Sequence, residues 1–382
     1  MEMRYFKLLK VKLQNFPVSR AVFLQKKTNQ SVEESQSSTG VRLFFLILSF
    51  LYVINFLWTS DRDNVIDNMD YIDYFSAPGL DRLADFWEGI KQGGLKGFIS
   101  LFTEELFWWC WIVLLSGLDP LTAIRFTTVC ISILIFSACL TYRHSLLAWM
   151  LWLVHPLAFS VVGYYQIRQG FALSIYLAFG AMFGRYGLGL VFAALVHTTF
   201  LIPLLLYIAA RAFSLPLHFK MIIVSLTGVT LPIILAQAFE SFGGRRTAEF
   251  SAYEGTTSWT FFVGICVFLL LPTYLLSRKN LNRVAPFLPV EFILNYAGLL
   301  VFLLSSFFFF PLGTSRMLYY SWFFAIPIVG SLDYKFSLSS NLAGVTLSAI
   351  LVSLLISFFY IFSKYYLMGR YFCFDWACTY IQ

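Results

Sequence analysis

The sequence predicts an all-α, polytopic integral membrane protein, and three observations predict it. Hydrophobic residues make up 59% of the 382-residue chain. Charged residues make up only 12%, about half the ~25% usual in soluble domains. Apolar runs recur from Val41 to the C-terminal end instead of forming one anchor. About 11 helical membrane segments are expected, since a span needs roughly 20 apolar residues. No alternation of the kind that marks a transmembrane β-barrel is present.

The net charge of +7 does not signal nucleic acid. Much of the basic excess lies in Arg4, Lys7, Lys10, Lys12, Arg20, Lys26 and Lys27. Such a cluster before the first apolar run reads as a cytoplasmic topology anchor. Residues 1–40 are therefore expected to be a cytoplasmic basic and polar tail, and 41–382 a single polytopic domain. The tail lacks a signal-peptide layout, so Val41–Trp58 is expected to be an uncleaved first span. Cys110, Cys130, Cys139 and Cys266 fall in apolar stretches and read as small core residues, whereas Cys373 and Cys378 are placed where pairing is conceivable.

Taken in order, Val41–Trp58 crosses outward and residues 59–97 form an external loop. Half of the chain's 20 acidic residues lie between Asp61 and Glu105. Phe98–Gly117 is apolar but carries Glu104-Glu105 near its middle, each costing ~2.5–3.5 kcal/mol at the centre of a span. It is expected to be an amphipathic or re-entrant helix at the outer face. Leu121–Thr141 then crosses inward to Arg143-His144, Ser145–Val162 crosses outward, and Gly170–Phe183 returns to Arg185. Leu188–Ala210 reads either as one span or as two short arms turning near His197. Met221–Phe239 leads out to an external loop at 240–258. Trp259–Leu276 returns to the basic run Arg278-Lys279-Asn280-Leu281-Asn282-Arg283. Pro289–Phe310, an external turn at 311–316, Met317–Leu332 and Leu342–Phe362 complete the chain.

Parity favours one version of this scheme. The tail and residues 278–283 should share the inside, so an even number of crossings separates them. That holds if 98–117 does not span and 188–210 is a hairpin, or if both are single spans. The first version keeps Arg143, His144 and Arg185 inside and puts Arg168 outside, as the distribution of basic residues demands.

The outer face then collects Asp67, Asp70, Tyr71, Tyr74, Glu104, Glu105, Arg168, Gln169, His197, Arg245, Arg246, Tyr253 and Arg316. Ionisable groups beside apolar spans are costly and are functional candidates by default. Arginine suits forked contacts to phosphate oxygens, and aromatic rings suit sugars. Two histidines at helical metal-ligand spacing are absent, as is a Gly-rich phosphate loop. No cofactor is expected, and no metal. Structural roles compete at each position: Arg168 as an interfacial snorkeler, His197 as a helix-packing histidine, Arg316 as a topology residue. Arg125 reads as a snorkeling residue and His155-Pro156 as a kink.

Arg168-Gln169-Gly170-Phe171-Ala172, followed by His197-Thr198-Thr199, resembles the Arg-Gln-x-x-Ala … His-x-Ser/Thr pattern of EpsG-family proteins, Wzy-type polymerases of bacterial surface polysaccharides. Further pieces follow in matching order. Asp67-Asn68-Met69-Asp70-Tyr71 resembles Asp-x-x-Asn-Tyr, with Asp70 in place of Asn. Glu104-Glu105-Leu106-Phe107 resembles Glu-Pro-x-aromatic without the proline. Arg316-Met317-Leu318-Tyr319-Tyr320 resembles a late Arg-x-x-x-Tyr element.

The resemblance implies a GT-C-like architecture in the bacterial cytoplasmic (inner) membrane, with the N-terminus cytoplasmic and the site facing the periplasm or exterior. It implies polymerisation of undecaprenyl-pyrophosphate-linked repeat units for lipopolysaccharide or capsule, next to a flippase and a chain-length regulator. Arg168 and Arg316 would meet the pyrophosphate, with His197, Glu104 and Asp67 as alternative general bases. Gln169, Asp70, Tyr71, Glu105, Arg245, Arg246, Tyr253, Tyr319 and Tyr320 would contact substrate. An O-antigen ligase would need similar arginines. A lipid-linked glycan flippase or transporter would place charges near mid-bilayer, commonly in repeated halves, and no repeat is evident.

Overall fold

The computed structural model describes residues 32–60, 68–76, 79–93, 101–102, 105–154, 166–211, 214–242 and 288–309, with short pieces at 163, 265–266, 269, 272–273, 275–276, 324 and 326–331. Regular structure among them is helical throughout. In chain order the helices are α1 (Val32–Thr59), α2 (Asn68–Ser76), α3 (Gly79–Gly93), α4 (Leu106–Leu115), α5 (Pro120–Leu140) and α6 (Ser145–Val154). They continue with α7 (Ile167–Phe183), α8 (Tyr186–Val196), α9 (Leu201–Arg211), α10 (Leu217–Phe242) and α11 (Val290–Phe309). Among the described residues, four stretches are long and apolar enough to cross a membrane: Gly40–Thr59 in α1, α5, Leu217–Gln237 in α10, and α11. At 1.5 Å per residue, about 20 residues cover a ~30 Å hydrocarbon core. The chain is an all-α membrane protein. By its contacts it divides into Met1–Ser49 and Phe50–Gln382, and the packing that follows is that of the second unit.

Local chemistry sets several boundaries. Asp119 caps α5 by accepting from the Thr122 N–H at 3.1 Å, and Pro120 occupies the first helical position, where its missing N–H costs nothing. Gly184 ends α7 in the left-handed region (φ 66°), donating to the Gly180 carbonyl, while the Arg185 N–H reaches Phe179. This left-handed closure is easiest for glycine. His197 is extended (φ −147°, ψ 120°), which ends α8; a 3-10 turn at Thr198–Phe200 then leads into α9.

Packing fixes the directions. Tyr176 of α7 meets Tyr186 of α8 at 5.8 Å between ring centroids, so the two helices run antiparallel about Gly184. Gly187, at the start of α8, lies against the Tyr207 ring in the second half of α9, so α8 and α9 fold back as a hairpin. Each arm has 11 residues, about 16 Å of helix, roughly half a hydrocarbon core. Lys220 pairs with Glu291 at 3.7 Å, and Ser305 donates to the Val229 carbonyl, so α10 and α11 run parallel. Gly228 lets the backbones meet: a Cβ there would stand 2.8 Å from the Gly298 carbonyl oxygen. Tyr186 also packs on Phe292 at 4.7 Å. Arg185, Lys220 and Glu291 therefore share one end of the bundle, with Ile167 and the His197 turn toward the other.

The expected features take specific forms here. The stretch at 59–97, read as a loop, carries α2 and α3. The apolar run at 98–117 is broken at Glu105, and its helix α4 has only 10 residues, about 15 Å, too short to cross. Leu188–Ala210 is the two-armed alternative. α10 continues to Phe242, into the segment expected to be a loop from 240, and the rest of that segment lies outside the described residues. Of the cysteines read as core, Cys139 is buried, but Cys110 and Cys266 are exposed. Arg125 does not simply snorkel: its Nη2 donates to the Ser60 carbonyl at 3.4 Å, tying α5 to the end of α1. His155-Pro156, Cys373, Cys378, the basic run at 278–283 and the expected span at 342–362 lie outside the described residues.

Candidate active site at the start of α7

Four separate pieces of sequence converge where α7 begins. The first is α2, whose aromatic residues seat it on α4. Tyr71 and Phe75 contact Trp108 edge-on, at 6.2 and 5.9 Å, and Tyr74 meets Trp109 at 5.7 Å. The spacing of 71, 74 and 75 puts these rings on one helical face. The second piece is Glu105, the third is Gln166–Gln169, and the fourth is His197–Thr199.

Arg168 is the hub. Its Nη1 donates to Glu105 Oε2 at 2.7 Å, a charge-assisted bond between largely buried side chains. Its guanidinium carbon lies 4.9 Å from the centroid of the Tyr74 ring, a cation–π contact. Its backbone N–H donates to the Tyr71 hydroxyl at 3.4 Å. The Arg168 Nε is buried and has no hydrogen-bond partner among the described residues, and neither have Gln166 Oε1 and Gln169 Oε1. Buried polar atoms normally find partners, and here three within four residues lack one among the described residues.

Glu105 belongs to the turn before α4 and lies outside the four candidate spans. It is 8% exposed, and its backbone sits in the left-handed region at φ 57°, ψ 53°. Glu105 Oε1 accepts from the Thr198 N–H at 3.3 Å. The Thr198 hydroxyl lies 3.4 Å from the same oxygen but closer, at 3.2 Å, to the Phe102 carbonyl. Its one proton goes to the carbonyl. Burial raises the carboxyl's pKa, but the fields of His197 and Arg168 and the bonds from Thr198 and Arg168 outweigh it, leaving the pKa below the ordinary value. Arg168 is the firmer contributor, because His197 is charged only if its Nδ1 gives up accepting. That nitrogen accepts from the Thr199 N–H at 3.3 Å and stands 2.7 Å from the Thr199 hydroxyl.

The EpsG family model matches residues 41–374, most of the chain. The chain belongs to the EpsG family. No curated protein and no solved structure matches it. For this EpsG-family chain, the structure brings together Tyr71, Glu105, Arg168, Gln169 and His197, which the pattern scatters over more than 120 residues. Asp70 lies on α2. Asp67, Glu104, Arg245, Arg246, Tyr253, Arg316, Tyr319 and Tyr320 lie outside the described residues. Tyr74 and Thr198 have contacts here, and Gln166 has a buried amide oxygen, that the motifs did not assign. Tyr74 was discoverable as the residue one helical turn beyond Tyr71. Nothing local in the sequence distinguishes the other two.

Proposed function

We propose that this chain polymerises undecaprenyl-pyrophosphate-linked oligosaccharide repeat units at the outer face of the bacterial cytoplasmic membrane. The family supports a polysaccharide-polymerase function. One observation supports the finer reading: a largely buried guanidinium at a helix start, with one nitrogen held by a carboxylate and its Nε without a partner among the described residues. A departing pyrophosphate needs such a donor, because preorganised donors in a water-poor site stabilise developing charge best. The arrangement also agrees with basic residues inside. Arg185 and Lys220 share the end opposite Arg168, so a cytoplasmic Arg185 puts the site on the outer side. With arms of about 16 Å, the hairpin tip at His197 then lies within the membrane, below its outer surface. The proposal retains about 11 membrane segments and a GT-C-like architecture.

In the reaction, a sugar hydroxyl of the incoming lipid-linked unit attacks the anomeric carbon of the growing chain. The new C–O bond forms as the bond to the lipid pyrophosphate breaks, and the hydroxyl proton passes to a base or to solvent. Arg168 binds the departing pyrophosphate, with Arg316 as a second cation. Gln169 and the tyrosines contact glycan or phosphate. No cofactor or metal is invoked. A flippase supplies the substrate, and a chain-length regulator acts on the product.

Arg168→Ala tests this directly. Long glycan chains should vanish while single lipid-linked repeats persist, read as a chain-length ladder at matched protein levels. A normal ladder would refute the role of Arg168.

A further inference from the structure

We propose that Glu105 is a positioning residue: one carboxylate oxygen holds Arg168 and the other holds the His197–Thr199 break, so that a single side chain sets the geometry of both. This rests on the function proposed above and deepens it, because it removes Glu105 from the residues that contact substrate or take its proton.

Three observations carry the inference. The first is that the two oxygens are divided between two elements. Oε2 takes Arg168 Nη1 at 2.7 Å, and Oε1 takes the Thr198 N–H at 3.3 Å. The second is backbone strain. Glu105 has the only positive φ among the described non-glycine residues. A non-glycine residue held there needs surroundings that enforce it, and such strain gathers at functional sites. The third is burial at 8% exposure, at the end of a strongly apolar helix. A carboxylate bonded on both oxygens in such a place is a poor base and a good anchor.

Division of labour follows. With Nη1 taken by Glu105, the guanidinium keeps a different edge free of that carboxylate, including the Nε that has no partner among the described residues. The carboxylate fixes which edge that is. The same side chain holds the turn whose Thr199 N–H engages the His197 ring, so the imidazole is oriented from the same point. Loss of the anchor lets Arg168 and His197 drift independently. A misplacement of about 1 Å in a positioned group costs about 10²-fold in rate.

The test uses full-length purified protein in detergent. Its substrate is the lipid-linked glycan pool extracted from cells deleted for this chain. Wild type, Glu105→Gln, Glu105→Asp and Arg168→Ala are compared after each is shown to be folded by thermal unfolding. Glu105→Gln keeps the shape but cannot accept from both partners. It should lower kcat about 10²-fold with KM changed less than about threefold, and the pH–rate profile should keep its shape. Glu105→Asp, which keeps the charge on a shorter arm, should recover part of that loss and serves as the informative variant if Glu105→Gln does not fold. Loss of the acidic limb in Glu105→Gln would make Glu105 a general base and overturn the proposal. Wild-type kcat in Glu105→Gln beside an inactive Arg168→Ala would overturn it too, leaving the proposed function standing. Wild-type elongation in Arg168→Ala would instead sink the function assigned to Arg168.

Discussion

Removing Arg168 should damage stability in a pH-dependent way. In Arg168→Ala, Glu105 Oε2 loses its 2.7 Å partner while the side chain stays largely buried, and only the bond from the Thr198 N–H to Oε1 remains. Stranding one member of a buried pair costs about 3–5 kcal/mol. The lower end applies here, because the pair keeps some solvent contact and Thr198 still donates. At roughly 2 °C per kcal/mol for a large chain, about 3 kcal/mol lowers Tm by ~6 °C. The sign follows from Glu105. In the wild type its folded pKa lies below the unfolded value, so its stabilisation is complete above the ordinary carboxylate range and fades as pH falls through the folded pKa. In the variant, without Arg168, that pKa rises from its wild-type position, so protonation relieves the defect as pH falls. The Tm gap between wild type and variant should therefore be widest near pH 7.5 and should narrow toward pH 4. Combining Arg168→Ala with Glu105→Gln should return most of the loss at pH 7.5. Thermal unfolding of the three proteins across this range is the assay. A pH-independent gap with no recovery in the double variant would refute the ion-pair account.

Other residues offer shorter tests. Tyr74→Leu removes the ring 4.9 Å from the Arg168 guanidinium and should reduce elongation several-fold, a loss of about 0.5–2 kcal/mol, whereas Tyr74→Phe should stay near wild type; equal effects of the two would dismiss the ring contact. Gly228→Ala puts a methyl 2.8 Å from the Gly298 carbonyl oxygen and should cost about 1–3 kcal/mol by parting α10 from α11, read as a lower Tm. Thr127→Val removes the acceptor of the 3.0 Å bond from Trp111 Nε1 and should cost about 1–3 kcal/mol; an unchanged Tm would discount that bond. In a cysteine-free background, single cysteines at exposed Arg185 and Arg211 should react with impermeant reagent only from the cytoplasmic side, and one at Trp87 only from outside. Labelling of all three from one side would overturn the orientation.

Much of the site was legible because membrane insertion makes polar residues conspicuous. Arg168, His197 and the Glu104-Glu105 pair stand out against apolar runs, and the motif order tied them to Tyr71. The distribution of basic residues also pointed to a hairpin at His197, which the antiparallel contact of Gly187 with Tyr207 bears out. What stayed hidden depends on three-dimensional choices. Charge counting cannot tell that Glu105 sits in a left-handed turn that divides its oxygens between two distant elements. Tyr74 was grouped with the outer-face residues, but its ring contact with Arg168 depends on how α2 is seated on Trp108 and Trp109. The stretch at 59–97 read as a loop because its acidic content masked two short helices. The Glu104-Glu105 pair had already set the run at 98–117 apart from a free span, and the break at Glu105 leaves α4 too short to cross.

The most direct test of polymerase activity is elongation by the purified chain alone. Lipid-linked repeat units extracted from cells deleted for this chain would be incubated with it in detergent, with no other protein present. Polymerisation predicts a ladder of longer lipid-linked glycans and one released undecaprenyl pyrophosphate for each bond formed. Unchanged single repeats, with the same protein moving those units across a vesicle bilayer, would contradict it and make the chain a transporter.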